Sequence, residues 1–450
     1  MGKLFGTDGA RGVAITELTC ELAMNIGRAA AVALTRHTSK RPRIVIGKDT
    51  RLSSDVLEAA LCAGICSVGA DAELLGVVPT PAVAYLVRLY DADAGVMISA
   101  SHNTMEYNGI KLFSKDGFKL SDEIENEIEA MVLEHPEEII LKEGREVGSM
   151  RRRDDAQRNY VRYLTSTVTS SLKGMRVVAD CANGSASTTA HALFEALGAD
   201  CVIINATPDG VNINEACGSL HIDTLARAVQ AHRAQLGVAF DGDADRCLAV
   251  DENGTLIDGD KLLAIFGKTM KTQDKLKNNT VVATVMSNMG FFRFARDNGM
   301  EAAITKVGDR YVLEEMLAKG YNLGGEQSGH IIFLDHATTG DGQLSAIQLM
   351  ACMKAFGRPL SELGEWMERY PQVVINVKVT DEGKAAWRED PKVMETINRC
   401  TDTLGNDGRV LVRASGTEPL IRVMVEGKDF DAINESALAI SAVIRERCSA

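Results

Sequence analysis

Ser101 lies in Ile98-Ser-Ala-Ser-His-Asn103, and Asp241, Asp243 and Asp245 alternate with Gly242 and Ala244 in Phe240-Asp-Gly-Asp-Ala-Asp-Arg246. A hydroxyl that can carry a phosphoryl group and carboxylates that can hold a divalent cation are two parts of one phosphoryl-transfer device. In an extended loop, the alternation sends every second side chain the same way. Three carboxylates brought together raise one another's pKa unless a cation offsets them. An all-oxygen set suits a hard ion, so Mg²⁺ is the expected metal. A calcium EF-hand is the main rival, since Glu252 falls at the twelfth position of such a loop. Arg246 stands where that loop needs Gly, and a strand precedes it instead of a helix. A solvated acidic turn fits poorly with the small spacers and the abutting strand.

Taken alone, Ser-His-Asn reads as an ordinary turn. A hydrolase elbow needs Gly-x-Ser-x-Gly, and Ser99 and Asn103 stand at those places. Adjacent residues on an extended segment point apart, which argues against a catalytic pairing of Ser101 with His102. In Asn108-Gly-Ile-Lys111, Gly109 permits a tight turn. Lys111 is then either an acid/base group or phosphate ligand, or a plain surface lysine.

Arg413-Ala-Ser-Gly-Thr-Glu-Pro419, with Arg422 just beyond, is either a hairpin loop or an anion nest. Two guanidinium groups, the hydroxyls of Ser415 and Thr417 and the amides around Gly416 favour the nest. Gly324-Gly-Glu-Gln-Ser-Gly-His330 offers the Glu326 carboxylate and the Ser328 hydroxyl between glycines, groups that suit sugar hydroxyls. It has neither the spacing of a dinucleotide fingerprint nor the Gly-Lys-Ser of a P-loop. In Phe5-Gly-Thr-Asp-Gly-Ala-Arg-Gly12, Arg11 either faces a ligand or turns the chain.

These segments need a frame. Residues 18–35 read as an Ala-rich helix, 43–46 as a strand running into Gly47-Lys-Asp-Thr-Arg51, and 55–68 as a helix capped by Ser53 or Ser54. Residues 94–98 form a strand that delivers Ser101, and 236–240 one that delivers the aspartates. Alternation of this kind predicts α/β layers around a mainly parallel sheet, with ligands beyond the carboxyl ends of its strands. Polar residues 141–155, including Arg151-Arg-Arg153, read as a boundary with a solvated helix start. The last stretch alternates differently: strand 373–379, helix 392–404, strands 409–413 and 420–426, helix 431–447. That is an α+β module.

At 450 residues the chain is too long for one core. With only 5% aromatic residues, its cores must be aliphatic. The net charge of -13 argues against nucleic acid or an anionic membrane as partner, and leaves room for a small phosphorylated ligand. No apolar run is long enough to span a bilayer. The start lacks the apolar stretch of a signal, and Gly6 stands where a myristoylation signal wants Ser or Thr. The ten cysteines form no CxxC pair and read as buried, reduced thiols. The expected location is the cytoplasm.

Four of the segments above, taken in order, resemble the α-D-phosphohexomutase superfamily, and the match runs over essentially the whole chain. The 5–12, 240–246 and 325–330 segments are most similar to the bacterial branch acting on glucosamine phosphates. Gln327 separates it from the phosphomannomutase/phosphoglucomutase branch, which more often has Met there. One departure is Thr104, where the family usually has Pro; it should loosen the serine loop slightly. The resemblance implies four domains around a central cleft: three mixed-sheet α/β domains and a smaller C-terminal α+β domain. Residues 1–152 would carry the phosphoserine loop, 153–255 the metal loop, 256–366 the sugar loop and 367–450 the phosphate loop.

The resemblance further implies that Ser101 is the phosphoserine and that Ser101, Asp241, Asp243 and Asp245 hold Mg²⁺. Glu326 and Ser328 would grip sugar hydroxyls, with Arg246 and His330 lining the cleft. Arg413, Ser415, Gly416, Thr417 and Arg422 would bind the distal phosphate, while Lys111 and Arg11 assist proton transfer. The implied reaction interconverts glucosamine 6-phosphate and glucosamine 1-phosphate, with a sugar 1,6-bisphosphate as intermediate or activator, and feeds amino-sugar nucleotide and cell-wall precursor synthesis. A homodimer is suggested by the family alone. The alternatives are a phosphoglucomutase or phosphomannomutase with the same machinery, a phosphatase acting through Ser101, and a silent sugar-phosphate sensor.

Overall fold

The computed structural model describes residues 4–6, 9–36, 38, 40–415 and 419–449. The chain divides into two compact units, Met1–Met286 with Gly299–Trp366, and Ser287–Asn298 with Met367–Ala450.

The larger unit holds three mixed sheets. The first has seven strands in the order Phe5–Gly6, Gly9–Val13, Tyr107–Ser114, Ala94–Ile98, Arg43–Lys48, Asp71–Val77 and Met150–Arg152. Its strands pair parallel from Ala94–Ile98 through Met150–Arg152 and antiparallel on the other side. The second has five strands, Leu256–Ile257, Cys247–Asp251, Leu236–Phe240, Arg176–Asp180 and Asp200–Ile204. The third has four, Glu301–Thr305, Thr280–Thr284, Leu323–Gly325 and Ile331–Phe333. Strands Ala94–Ile98, Leu236–Phe240 and Thr280–Thr284 are buried at every position. Apart from the end threonines of Thr280–Thr284, they carry no polar side chain, because helices cover both faces.

The aliphatic core allows close helix contact. Helix Cys20–Thr35 starts at Thr19, whose hydroxyl accepts from the Leu22 N–H, and packs on helix Leu52–Ser67. A methyl at Gly64 would sit 2.1 Å from the Met24 carbonyl oxygen, so only glycine lets the two backbones approach this far.

Two local expectations are corrected. The second helix begins at Leu52, with Arg51 at its cap and no side-chain capping bond; Ser54 lies inside the first turn and donates to Asp49 Oδ1 at 2.8 Å. The Arg151–Arg153 run is no helix start. Met150–Arg152 is an edge strand of the first sheet, Arg153 Nε donates to Glu73 at 2.7 Å, and its guanidinium lies 4.5 Å from the Tyr90 ring centre.

The smaller unit is an antiparallel sheet, Gln372–Lys378, Leu420–Gly427 and Gly408–Ala414, backed by helices Pro391–Leu404 and Phe430–Cys448. Its own core gathers Val377, Ile421, Val423, Val425, Ile433, Ile440 and Ile444. Among the described residues all ten cysteines are free, and no helix is long and apolar enough to cross a membrane.

Candidate active site and metal site

The buried strands Ala94–Ile98 and Leu236–Phe240 each end in a chemistry-bearing loop, as expected for ligand sites in open α/β sheets. Ser101 Oγ donates to Asp241 Oδ2 at 2.6 Å, a contact between residues 140 apart in sequence. Both side chains are buried.

The backbone that achieves this is not extended. Ser101 has φ 53, in the left-handed region. This breaks the alternation that was expected to separate Ser101 from His102. The His102 Nδ1 lies 3.4 Å from Ser101 Oγ. Burial, Arg246 and then Arg11 push His102 down to about 4, so the ring is neutral at pH 7. The aspartate loop is not extended either. Ala244 has φ 55, and its N–H donates to the Asp241 carbonyl at 3.0 Å. A turn, and not a pleat, brings the three carboxylates together, with oxygens within 4.8 Å of one another.

The elements around them supply counter-charge and donors. Asp243 Oδ2 accepts from Lys111 Nζ at 2.7 Å and from Thr80 Oγ at 2.5 Å. Lys111 comes from strand Tyr107–Ser114, is only 2% exposed, and also reaches Asp245 Oδ2 at 3.5 Å. A surface lysine is thereby excluded. His330 Nδ1 stands 3.5 Å from Asp245 Oδ2. The Gly340 N–H donates to His330 Nε2 at 3.0 Å, which fixes the ring proton on Nδ1, facing the carboxylate. Arg246 N–H donates to Asp241 Oδ1 at 3.2 Å, and its Nε lies 3.9 Å from Asp245 Oδ1.

These residues fit a hard cation. Asp243 Oδ1 and Asp245 Oδ1 are buried with no hydrogen-bond partner among the described residues, while their Oδ2 atoms face Lys111. Burial, then Asp245 and Asp243, push Asp241 up to about 8. Burial pushes Asp245 the same way, but Lys111 and His330 hold it well below the usual carboxylate range. Three buried carboxylates with two unsatisfied oxygens outnumber the Lys111 and Arg246 cations beside them, and all-oxygen donors suit Mg²⁺.

Glu326, Ser328 and His330 lie in the turn between strands Leu323–Gly325 and Ile331–Phe333. Glu326 Oε1 accepts from the Gly308 N–H at 2.9 Å. The turn is docked by the Cys247 N–H on the Gly329 carbonyl and the Gly259 N–H on the Gln327 carbonyl, each at 3.0 Å. It therefore abuts the strand that follows the aspartate loop. Arg11 lies on strand Gly9–Val13 opposite Gly109.

In the smaller unit, Arg413 and Arg422 stand directly opposite one another on neighbouring strands. Burial and then Arg422 lower the pKa of Arg413. Like charges in that relation repel, and an anion between them removes the penalty. Ser415 is buried, and its N–H donates to the Leu420 carbonyl at 2.9 Å. Gly416 and Thr417 lie outside the described residues.

Several contributors escaped the sequence reading. Thr80 has no motif. Asp49 and Arg51 sit in Gly47-Lys-Asp-Thr-Arg51, whose position just past a buried strand was the available signal. Asn214 lies in an irregular stretch with nothing to mark it.

Family models of the phosphoglucomutase/phosphomannomutase α/β/α domains I, II and III match residues 2–138, 158–254 and 258–370, and that of the C-terminal domain matches residues 374–443. The chain is 53% identical over 451 residues to a phosphoglucosamine mutase of Caldicellulosiruptor bescii, covering 100% of both chains. It is 53% identical over 447 residues to that of Acetivibrio thermocellus, covering 99% of this chain and 100% of the relative. A phosphoglucomutase/phosphomannomutase family protein of Burkholderia thailandensis shares the fold with a TM-score of 0.82 at 24% identity, over 98% of this chain and 97% of its own. The chain belongs to the phosphoglucomutase/phosphomannomutase family.

Proposed function

We propose that this protein is a phosphoglucosamine mutase, which interconverts glucosamine 6-phosphate and glucosamine 1-phosphate through a phosphoserine at position 101. The observation that carries the chemistry is the 2.6 Å contact of Ser101 Oγ with Asp241 inside a buried acidic trio. The choice of sugar rests on relatives of that name at 53% identity over the full chain.

Asp241, Asp243 and Asp245, with a phosphoserine oxygen, would hold Mg²⁺. When bound, the ion neutralises charge on the transferring phosphoryl group. Phosphorylated Ser101 donates its phosphoryl group to the free hydroxyl of the sugar phosphate. The resulting bisphosphorylated sugar turns around, and its other phosphate returns to Ser101. Lys111, held against Asp243, would exchange a proton with the reacting hydroxyl, and Arg11 would assist. Glu326 and Ser328 orient the sugar hydroxyls. Arg413 and Arg422, with Ser415, Gly416 and Thr417, take the phosphate that is not being transferred. Positioning and electrostatics supply the rate.

The test is metal-dependent interconversion of the two glucosamine phosphates, with intact-mass measurement of the enzyme. Ser101→Ala should abolish both turnover and the phosphate adduct, and Asp243→Ala should weaken turnover by a hundredfold or so. Equal phosphorylation of wild type and Ser101→Ala rejects Ser101 as the carrier. Faster turnover of glucose or mannose phosphates overturns the choice of sugar. Sustained release of inorganic phosphate without isomerisation points to a phosphatase.

A further inference from the structure

The Ser101 loop is gripped from two sheets at once. Arg51, just past strand Arg43–Lys48 of the first sheet, donates from Nη2 to the carbonyls of Ser101 at 3.2 Å and Asn103 at 2.6 Å. Asn214, in the stretch after strand Asp200–Ile204 of the second sheet, donates from Nδ2 to the same two carbonyls at 3.0 and 2.9 Å. Both side chains are buried. Each is itself held. The Arg51 N–H donates to Asp49 Oδ1 at 3.0 Å, its Nη1 pairs with Asp49 Oδ2, and the Asn214 N–H donates to the Ala182 carbonyl at 2.9 Å.

We infer that Arg51 and Asn214 are positioning residues that together clamp the phosphoryl-carrying loop. The inference rests on the reading of Ser101 as the carrier. Asp49 neutralises the guanidinium, and the Nη2 donors are spent on backbone carbonyls, so Arg51 acts as a pin and not as a phosphate ligand. Asn214 follows a strand of the sheet that delivers Asp241 and packs against Gly242 of the aspartate loop, so its bonds tie the serine loop to the aspartate loop. The tie survives phosphorylation. A phosphorylated Ser101 has no Oγ–H to donate to Asp241, whereas the four clamp bonds reach carbonyls that phosphorylation leaves unchanged. The clamp also holds Ser101 in its left-handed conformation, at φ 53, in a loop that has Thr104 in place of a stiffening proline.

The experiment uses the full-length chain with Asn214→Ala, Asn214→Asp and Arg51→Lys. Steady-state kinetics with glucosamine 6-phosphate, thermal denaturation and the phosphorus NMR signal of the phosphoserine are measured on each. Asn214→Ala should lower kcat by about 10- to 100-fold while KM stays within about threefold, because aim is lost and binding is not. Asn214→Asp should be worse, since a carboxylate would face two carbonyls. Arg51→Lys keeps the charge but loses the fork, and should fall like Asn214→Ala. The phosphoserine resonance should shift or broaden in each variant.

Wild-type kcat in folded Asn214→Ala or in Arg51→Lys, or a loss confined to KM, overturns the inference. If the Asn214 variants do not fold, Arg51→Lys decides. An active wild type with no phosphate on Ser101 overturns the carrier reading and the inference with it. A phosphorylated wild type with unchanged variants overturns the inference alone.

Discussion

Gly242 is the spacer between two of the acidic residues, and the structure gives it a specific reason to be glycine. A methyl built there would lie 2.6 Å from the Ser101 carbonyl oxygen, 2.8 Å from Ile213 Cδ1 and 2.9 Å from Asn214 Nδ2. Its backbone is outside the left-handed region, so Gly242→Ala tests volume alone. The Ile213 side chain can yield. The Ser101 carbonyl cannot, because Arg51 and Asn214 hold it. Ordinary contact begins near 3.4 Å, so the serine and aspartate loops must part by about 0.8 Å. The 2.6 Å bond from Ser101 Oγ to Asp241 does not survive that separation. A misplacement of about 1 Å costs roughly a hundredfold in rate, while overpacking of this kind costs about 1–3 kcal/mol of stability. Gly242→Ala should therefore lower kcat/KM by about two orders of magnitude in a protein that still folds, with its melting temperature down by only a few degrees. The assay is steady-state interconversion of the glucosamine phosphates beside thermal denaturation. A variant within threefold of wild-type kcat/KM, with an unchanged melting temperature, refutes the close apposition of the two loops.

Two further outcomes follow from buried carboxyl groups. Asp341 is fully buried, accepts from the Leu344 N–H at 2.9 Å and from Tyr160 Oη at 2.8 Å, and burial pushes it from the ordinary 3.8 up to about 7. Below about pH 4 both folded and unfolded chains hold the proton. Between about 4 and 7 only the folded chain does, so stability falls as pH rises and levels off above 7. The span corresponds to about 4 kcal/mol. Asp341→Asn keeps an oxygen for Leu344 and carries no charge, so denaturant unfolding should show it gaining on wild type from pH 4 to pH 7; parallel pH profiles exclude the effect. At the aspartate loop, Asp241, pushed up to about 8, is mostly protonated at pH 7 in chelator-treated protein. Mg²⁺ binding should then release on the order of one proton, read by titration calorimetry in buffers of different ionisation enthalpy. A binding heat that does not vary with buffer contradicts it.

The sequence shows the large pieces of the site because strands announce their own ends. Leu236-Gly-Val-Ala-Phe240 is an apolar run that cannot continue into three aspartates, so the loop start is visible without coordinates. What the spacing does not show is the conformation of the loops. Both were read as extended, yet Ser101 and Ala244 each adopt a left-handed backbone that carries no residue-type signature, since neither is glycine. The expectation that Ser101 and His102 point apart failed for that reason, and their side chains lie 3.4 Å from one another. The helix start at Leu52 was missed because Arg51 caps it without a side-chain bond and spends its donors on the serine loop. Serine at 53 and 54 looked like a cap, but Ser54 is engaged by Asp49 and Asn108. Partners far along the chain, such as Asn103 for Arg51, Asn108 for Ser54 and Asp241 for Ser101, weigh in these local choices, and a window of neighbouring residues does not contain them.

Both ligand-facing clusters are arrangements that repel without their ligands. Asp241, Asp243 and Asp245 crowd three carboxylates in a buried place beside Lys111 and, at 3.9 Å, Arg246. Arg413 faces Arg422 across two strands, where burial and the neighbouring charge already lower its pKa. An ordinary core would replace such groups with neutral ones and gain stability. Here the rest of each unit over-determines them: buried strands on either side of the aspartates, and an antiparallel ladder in full register beneath the arginines. The repulsion is therefore held in place before any ligand arrives. A cation at the first cluster and a phosphate at the second would relieve it on binding, and each would add to stability by mass action. The groups assigned to phosphoryl transfer are those whose charges the ligand-free fold would be more stable without, and the strands that flank them keep them aimed in spite of that cost.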